Sequence, residues 1–226
     1  LYAGTYHCNA LHADWWRDRT KSGGQIAEQV IHQIDLIHYL MGRPDTVYAR
    51  MANLFHGSVP GYTIEDVSAI VFGWDDGRVA TLNASNIAVP GIWHKDWTIL
   101  SEHIAGRFTG WNDATLTWTD GSARHEQIAA DGDPFVAQLN DLADAIAHNR
   151  SPLVTMADGI EATRLALSAV QSAAMGLAAM VGGAIIGRDA QGHLTHYWVA
   201  GVIGVVASLI SVWLAGRLHL QGAPQS

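Results

Sequence analysis

SGGQIAEQVIHQIDLIHYLM, from Ser22 to Met41, decides the fold. Two glycines open the stretch, no proline interrupts it, and Ile26, Val30, Ile34, Ile37 and Met41 recur at helical spacing. Glu28, His32 and Asp35 belong to another face. At ~100° per residue they fall at about 0°, 40° and −20°, on one arc roughly a turn apart, with Gln25 and Tyr39 close to it. A carboxylate and an imidazole four residues apart can share a proton or grip one hydroxyl. The imidazole titrates near neutral pH, which makes His32 the better-placed acid–base group, and Asp35 could orient it. The competing reading is a solvated polar face. Against it stand the lack of a Lys or Arg partner on that face and the glycine pair, which lets another group approach the helix start.

The chain has 226 residues, enough for one sizeable domain with a core, or a domain plus an appendage. A net charge of −8 with 49% hydrophobic residues argues against a nucleic-acid surface. The charge is uneven: beyond Ala173 only Arg188, Asp189 and Arg217 are charged, so that part carries +1 and the first 172 residues −9. The single cysteine, Cys8, excludes an internal disulfide and reads as a buried structural thiol rather than a nucleophile. No secretory signal is visible, and a cytoplasmic location is expected. The sequence opens on Leu1, not Met, directly in a strand-like run, and the expectation is an N-terminal truncation.

Outward from the helix, Leu1–Tyr6 reads as a strand leading into an aromatic and basic loop with Trp15, Trp16, Arg17 and Lys21. Such a loop could stack on a sugar ring and neutralise a carboxylate or phosphate, or simply cover the core edge. Gly42-Arg43-Pro44 ends the helix. Strands follow over Thr46–Leu54, Glu65–Trp74, Arg78–Asn86, Trp97–Glu102, Arg107–Trp111, Ala114–Trp118 and Ser122–Ile128, with hairpin turns at Asp75-Asp76-Gly77 and Asp120-Gly121. The pattern is α+β: a large, predominantly antiparallel open-faced sheet with helices on one face. Trp111 and Trp118 suit a hidden face. The loop Ile87–Asp96, with Trp93, His94 and Lys95, reads as a solvated turn, although loops placed there can close over a site. Asp133-Pro134 caps a helix over Phe135–His148, striped by Phe135, Leu139, Leu142 and Ile146, and Thr155 or Asp158 starts another.

The run S-G-G-Q-I-x-E-Q-x-x-H-x-x-D-L-x-x-Y-L-x-G, Ser22 to Gly42, with Trp15-Trp16-Arg17-Asp18 and Lys21 before it, resembles the opening of the C-terminal domain of the Gfo/Idh/MocA oxidoreductases. The likeness runs with decreasing specificity to about Ala173. It implies the substrate-binding half of an enzyme that transfers hydride between NAD or NADP and a sugar or cyclitol hydroxyl, and a homo-oligomer joined through the sheet face. It implies that the residue matching His32 holds the hydroxyl or moves its proton and that the one matching Glu28, where an Asp is commoner, orients it. Trp15, Arg17, Lys21 and Asp35 are the candidate substrate-binding residues. The dinucleotide would be bound by a missing N-terminal half. No G-x-G-x-x-G occurs in this chain, and no Glu-Lys-Pro, so Lys95 is not the family's catalytic lysine. No H-E-x-x-H or cysteine cluster suggests a metal.

The end of the chain departs from that likeness. Leu165–Gly187 is 23 residues without a charge, best read as a continuation of the preceding amphipathic helix. Tyr197–Gly216 is 20 more, bracketed by Trp198 and Trp213, and has the length and the interfacial aromatics of a membrane span. The expected division is therefore residues 1–172 as the α+β domain and 173–226 as an apolar helical tail, with a membrane hairpin turning at Arg188–His196 as the alternative form of that tail. The second functional reading is a non-catalytic, membrane-tethered oligomerisation or ligand-binding module of the same fold, membrane-associated through Tyr197–Gly216.

Overall fold

The helical repeat of Ser22–Met41 forms, but in two geometries: Ile26–Val30 winds as a π-turn, and the α-helix (α3) runs over Ile31–Met41. The computed structural model describes residues 1–11 and 13–185, with positions 187–188, 194–195, 199, 202 and 206 beyond them. Ile26, Val30, Ile34, Ile37 and Met41 are all buried. Gly42 closes the helix at a φ of 74°, its N–H donating to the His38 carbonyl at 2.9 Å. Two short helices precede the π-turn, α1 (Asp14–Arg17) and α2 (Arg19–Ser22).

The glycine pair does admit a close neighbour, and it is the chain's own Glu65. A Cβ on Gly24, whose φ is 106°, would sit 2.5 Å from Glu65 Oε2. Glu65 is 1% exposed; its Oε1 accepts the Ile26 N–H at 2.8 Å and its Oε2 accepts from the Arg19 guanidinium at 2.5 Å. A carboxylate at a helix start meets unpaired N–H groups and the positive end of the helix dipole. The expected opening toward a ligand is thus filled from within.

Eight strands form one sheet: β1 (Tyr2–His7), β2 (Thr46–Ala52), β3 (Val67–Gly73), β4 (Val79–Ser85), β5 (Asp96–Leu100), β6 (Ile104–Thr109), β7 (Asp113–Trp118) and β8 (His125–Ala129). Their order is β2-β3-β4-β1-β5-β6-β7-β8. Every neighbouring pair is antiparallel except β1 and β4, which run parallel with Tyr2 opposite Ala80 and His7 opposite Ser85. The predominantly antiparallel α+β sheet read from the sequence is present. The parallel insertion of β1 is an addition to that reading, because tight-turn signals report only strands that follow one another.

Alternation sends Tyr2 and Tyr6 of β1, Ile70 and Phe72 of β3, and Ala80, Leu82 and Ala84 of β4 to the helix-covered face, where they pack with α3. Leu165, Ala166, Ala169 and Ala173 of α5 (Met156–Ile185) join the same core. β8 is exposed at every position. Helix α4 (Pro134–Ala147) is capped by Asp133, whose carboxylate accepts the Phe135 N–H at 2.8 Å. Its apolar stripe is not covered: Phe135 and Ile146 are each 74% exposed, and Leu139 and Leu142 are exposed as well. Thr155 and Asp158 cap α5 reciprocally, Thr155 donating through N–H and Oγ1 to Asp158 Oδ2 at 2.8 and 2.7 Å.

Leu1–Ala173 forms one compact unit and Ala174–Ser226 a second. In the second, Gly187–Arg188 pairs antiparallel with Leu194–Thr195. Of Tyr197–Gly216 only positions 199, 202 and 206 are described, so the membrane-span reading of that run lies outside the described residues. Among the described residues, no helix is long and apolar enough to cross a membrane.

Replacing Gly24 by Ala places a methyl against a buried carboxylate at a backbone angle that side chains rarely adopt. Gly24→Ala should lower unfolding stability by more than ~1 kcal/mol. Gly121→Ala, also at positive φ but with nothing within 4 Å, should cost less. Urea denaturation of the two variants measures the difference, and equal midpoints would disprove the crowding at Gly24.

Candidate active site

His32 and Asp35, one turn apart on α3, line a cleft of about 880 Å³. Tyr6 from β1, Lys95 from the loop before β5, Trp111 after β6, and Phe135 at the start of α4 complete much of its wall. His38, Tyr39 and Asp158 also line it. The cleft is built from elements far apart in sequence, which the parallel placement of β1 brings together.

Glu28 does not share this cleft. It sits in the π-turn, and its carboxylate accepts the Trp16 indole N–H at 2.7 Å. A uniform step of ~100° places Glu28 and His32 on one arc, but an i→i+5 turn holds one more residue and re-aims the side chains it carries. The same change sends Gln25 inward, fully buried, with its amide N–H on Gln29 Oε1 at 3.3 Å. Among the described residues, no hydrogen bond joins Glu28 to His32. Glu28 therefore stands behind the site, fixing the buried Trp16.

The aromatic and basic loop splits in a similar way. Trp15 is half exposed on α1 and lines neither cavity. Arg17 donates to the Leu11 carbonyl at 2.6 Å and pairs with Asp14 at 3.2 Å, while Lys21 pairs with Asp18 at 3.3 Å. Arg17 and Lys21 face a separate hollow of about 480 Å³ with Pro60 and Gly61. Of the six residues proposed from sequence, the structure brings together His32 and Asp35, and separately Arg17 and Lys21.

Two residues read otherwise from sequence belong to the cleft. Trp111, expected on a hidden face, is 43% exposed and lines the wall. Lys95, expected in a solvated turn, has its ammonium 5.8 Å from the Tyr6 ring centroid, 5.5 Å from that of Trp93 and 5.8 Å from that of Trp111. The signal available was composition: a Trp-His-Lys run at a strand entry, immediately before the buried Trp97.

Burial raises the Asp35 carboxyl above the ordinary carboxylate range, opposed by the neighbouring charge of His38, reinforced by that of Asp158, and opposed again by His32. Burial pushes the Tyr6 phenol up to about 12, helped by Cys8 and Glu28, so Tyr6 serves as a neutral ring and hydroxyl. Cys8 is fully buried, its thiol pushed up to about 11 by that burial, with Lys95 and a Gln25 hydrogen bond pulling the other way. It bonds Asn86 Oδ1 at 3.2 Å and is structural. Among the described residues, no three His, Cys, Asp or Glu side chains stand close enough to hold a metal ion.

Residues 2–103 match the sequence profile of the GFO/IDH/MocA C-terminal domain. The matched stretch, which holds β1 to β5 and α3, is similar to that domain. The uncharacterized oxidoreductase YrbE of Bacillus subtilis (strain 168) is 27% identical over 165 residues, which is 69% of this chain and 48% of that protein. Levoglucosan dehydrogenase, solved in complex with NADH and levoglucosan, aligns with a TM-score of 0.66 at 18% identity over 77% of this chain and 56% of its own. An NAD binding oxidoreductase from Klebsiella pneumoniae aligns with a TM-score of 0.66 at 14% identity, over 76% of this chain and 56% of its own. At these identities the structural likeness shows the fold, and the chain spans about half the length of each relative. The matched residues include Tyr6, His32, Asp35 and Lys95 of the cleft, while Trp111, Phe135 and Asp158 lie beyond them.

The raised Asp35 titration gives a stability signature. With its folded pKa above the unfolded value of ~3.9, the folded chain holds the extra proton. Stability linked to Asp35 is therefore present below that value and is lost as pH rises through the folded titration. Asp35→Asn should melt above wild type at pH 7, with the gap closing toward pH 3; a variant that melts lower at pH 7 would refute the shift. Cys8 should resist a disulfide thiol reagent in the native protein and react once per chain in denaturant, and rapid native labelling would contradict its burial.

Proposed function

We propose that this chain is the substrate-binding domain of an NAD(P)-dependent oxidoreductase that transfers hydride between the nicotinamide and a sugar or cyclitol hydroxyl. The observation that carries the reading is the cleft itself, where His32 and Asp35 share a wall with Tyr6 and Trp111. His32 holds the substrate hydroxyl and takes or returns its proton. Asp35, one turn away on the same wall, accepts from a second hydroxyl. The open ring of Trp111 offers an apolar face for the C–H side of a sugar.

In this reading the start of the Ile26–Val30 turn is not the dinucleotide seat. The helix start that could take a pyrophosphate already holds the buried carboxylate of Glu65, and a phosphate there would meet like charge. In this reading a dinucleotide-binding domain, in the same polypeptide or a separate one, holds NAD or NADP. Two observations support such a companion: the relatives are about twice the length matched, and the α4 stripe of Phe135, Leu139, Leu142 and Ile146 lies open.

Saturation-transfer NMR with glucose, myo-inositol and levoglucosan should show ring protons of at least one polyol in contact with the wild-type chain. His32→Ala should weaken that binding roughly tenfold, the scale of one lost hydrogen bond in a cleft. A polyol that binds equally well to His32→Ala would place its site elsewhere and remove the proposed role.

A further inference from the structure

Lys95 reads from sequence as a turn residue, and the basic loop of Arg17 and Lys21 has its charges tied to Asp14 and Asp18. Lys95 differs on both counts. Among the described residues no carboxylate lies within ion-pairing distance of its ammonium. The ammonium is held between Tyr6, Trp93 and Trp111, at 5.5 to 5.8 Å from their ring centroids.

Its backbone is fixed as well. His7 and His94 exchange both N–H···O=C bonds at 2.9 Å, pinning the residue before Lys95 to the end of β1. A flexible lysine normally loses considerable side-chain freedom when it grips a ligand. Here the three rings and the pinned loop have already restricted it, so an incoming anion meets a positioned charge. Aromatic faces satisfy a cation only in part and supply no hydrogen-bond acceptor of carboxylate strength.

Asp35 and Asp158 also line the cleft, but among the described residues neither lies within ion-pairing distance of the Lys95 ammonium. Asp158 accepts both the N–H and the Oγ1 hydrogen of Thr155. The cleft therefore has a polar hydroxyl-binding side at His32 and Asp35 and a cationic side at Lys95, with the Tyr6 and Trp111 rings on the same wall.

We infer that Lys95 is a specificity residue for an anionic polyol: a sugar or cyclitol bearing a carboxylate or a phosphate, with the anion on the Lys95 ammonium and a hydroxyl on His32. The inference rests on the reading of this cleft as the polyol site. A charge-assisted hydrogen bond is stronger than a neutral one and, at a partly open cleft, weakens with salt.

The test is calorimetric titration of the chain with glucose, glucuronate and glucose 6-phosphate, in low and high sodium chloride. Expected is at least tenfold tighter binding of one or both anions than of glucose, reduced by salt, with the stronger of the two anions identifying carboxylate or phosphate. Lys95→Met should erase the preference, bringing both anions to within about twofold of glucose, and Lys95→Arg should retain much of it. Thermal melts of both variants check folding, and the salt dependence of the wild-type protein stands without them. Equal, salt-independent binding of all three probes, weakened together by His32→Ala, would overturn the role of Lys95 and leave the cleft as a neutral polyol site. Binding of none of them by wild type would overturn the polyol reading and this inference with it.

Discussion

The structure depends on a buried carboxylate where a helix begins. Glu65, almost wholly removed from water, accepts the Ile26 N–H and the Arg19 guanidinium. Removing a carboxylate from water is costly unless it is paired and hydrogen-bonded, so this group determines what can surround it. Gly24 must be a glycine because a Cβ has no room beside Oε2, and the π-turn starts where Ile26 reaches the carboxylate. From there the direction of α3 follows, and with it the wall that His32 and Asp35 supply. A neighbouring carboxylate works similarly on the next turn of chain, where Asp66 accepts the N–H groups of Leu54, Phe55 and His56 at 2.7 to 2.9 Å. Two adjacent acids thus anchor two different segments around the start of β3.

Much of this architecture was legible in the sequence because its signals are local. The apolar spacing from Ile26 to Met41 reports a buried helix face whether the backbone winds as π or α, since the core positions are the same. Asp75-Asp76-Gly77 and Asp120-Gly121 mark hairpins because their glycines adopt positive φ, at 91° and 82°. Asp133-Pro134 marks a helix start because the cap and the proline act within one turn. The family likeness carried by Ser22–Gly42 rests on the same local run.

What was not legible is non-local or depends on one extra residue. Glu28 is a case of the second kind: the π-turn comes from its setting between Glu65 and Trp16, and no periodicity within the helix reveals it. Lys95 is a case of the first. Its aromatic surroundings come from β1, its own loop and the turn after β6, so the arrangement exists only once β1 lies beside β5. The α4 stripe shows a third limit. Periodicity states that Phe135, Leu139, Leu142 and Ile146 share a face, but not whether anything in this chain covers it.

The position of β1 has a consequence for how the domain assembles. β2, β3 and β4 form one meander and β5 to β8 another, and each can zip from its own hairpins. Among the described residues the strand they share is β1, which must await a neighbour nearly eighty positions downstream, Tyr2 against Ala80, and then a second one beyond it. Such distant closure makes joining the two meanders the slow event of folding, because the entropy of a long loop is spent before any bond rewards it. Until then Tyr2 and Tyr6 have no core to enter, and the cleft has no wall.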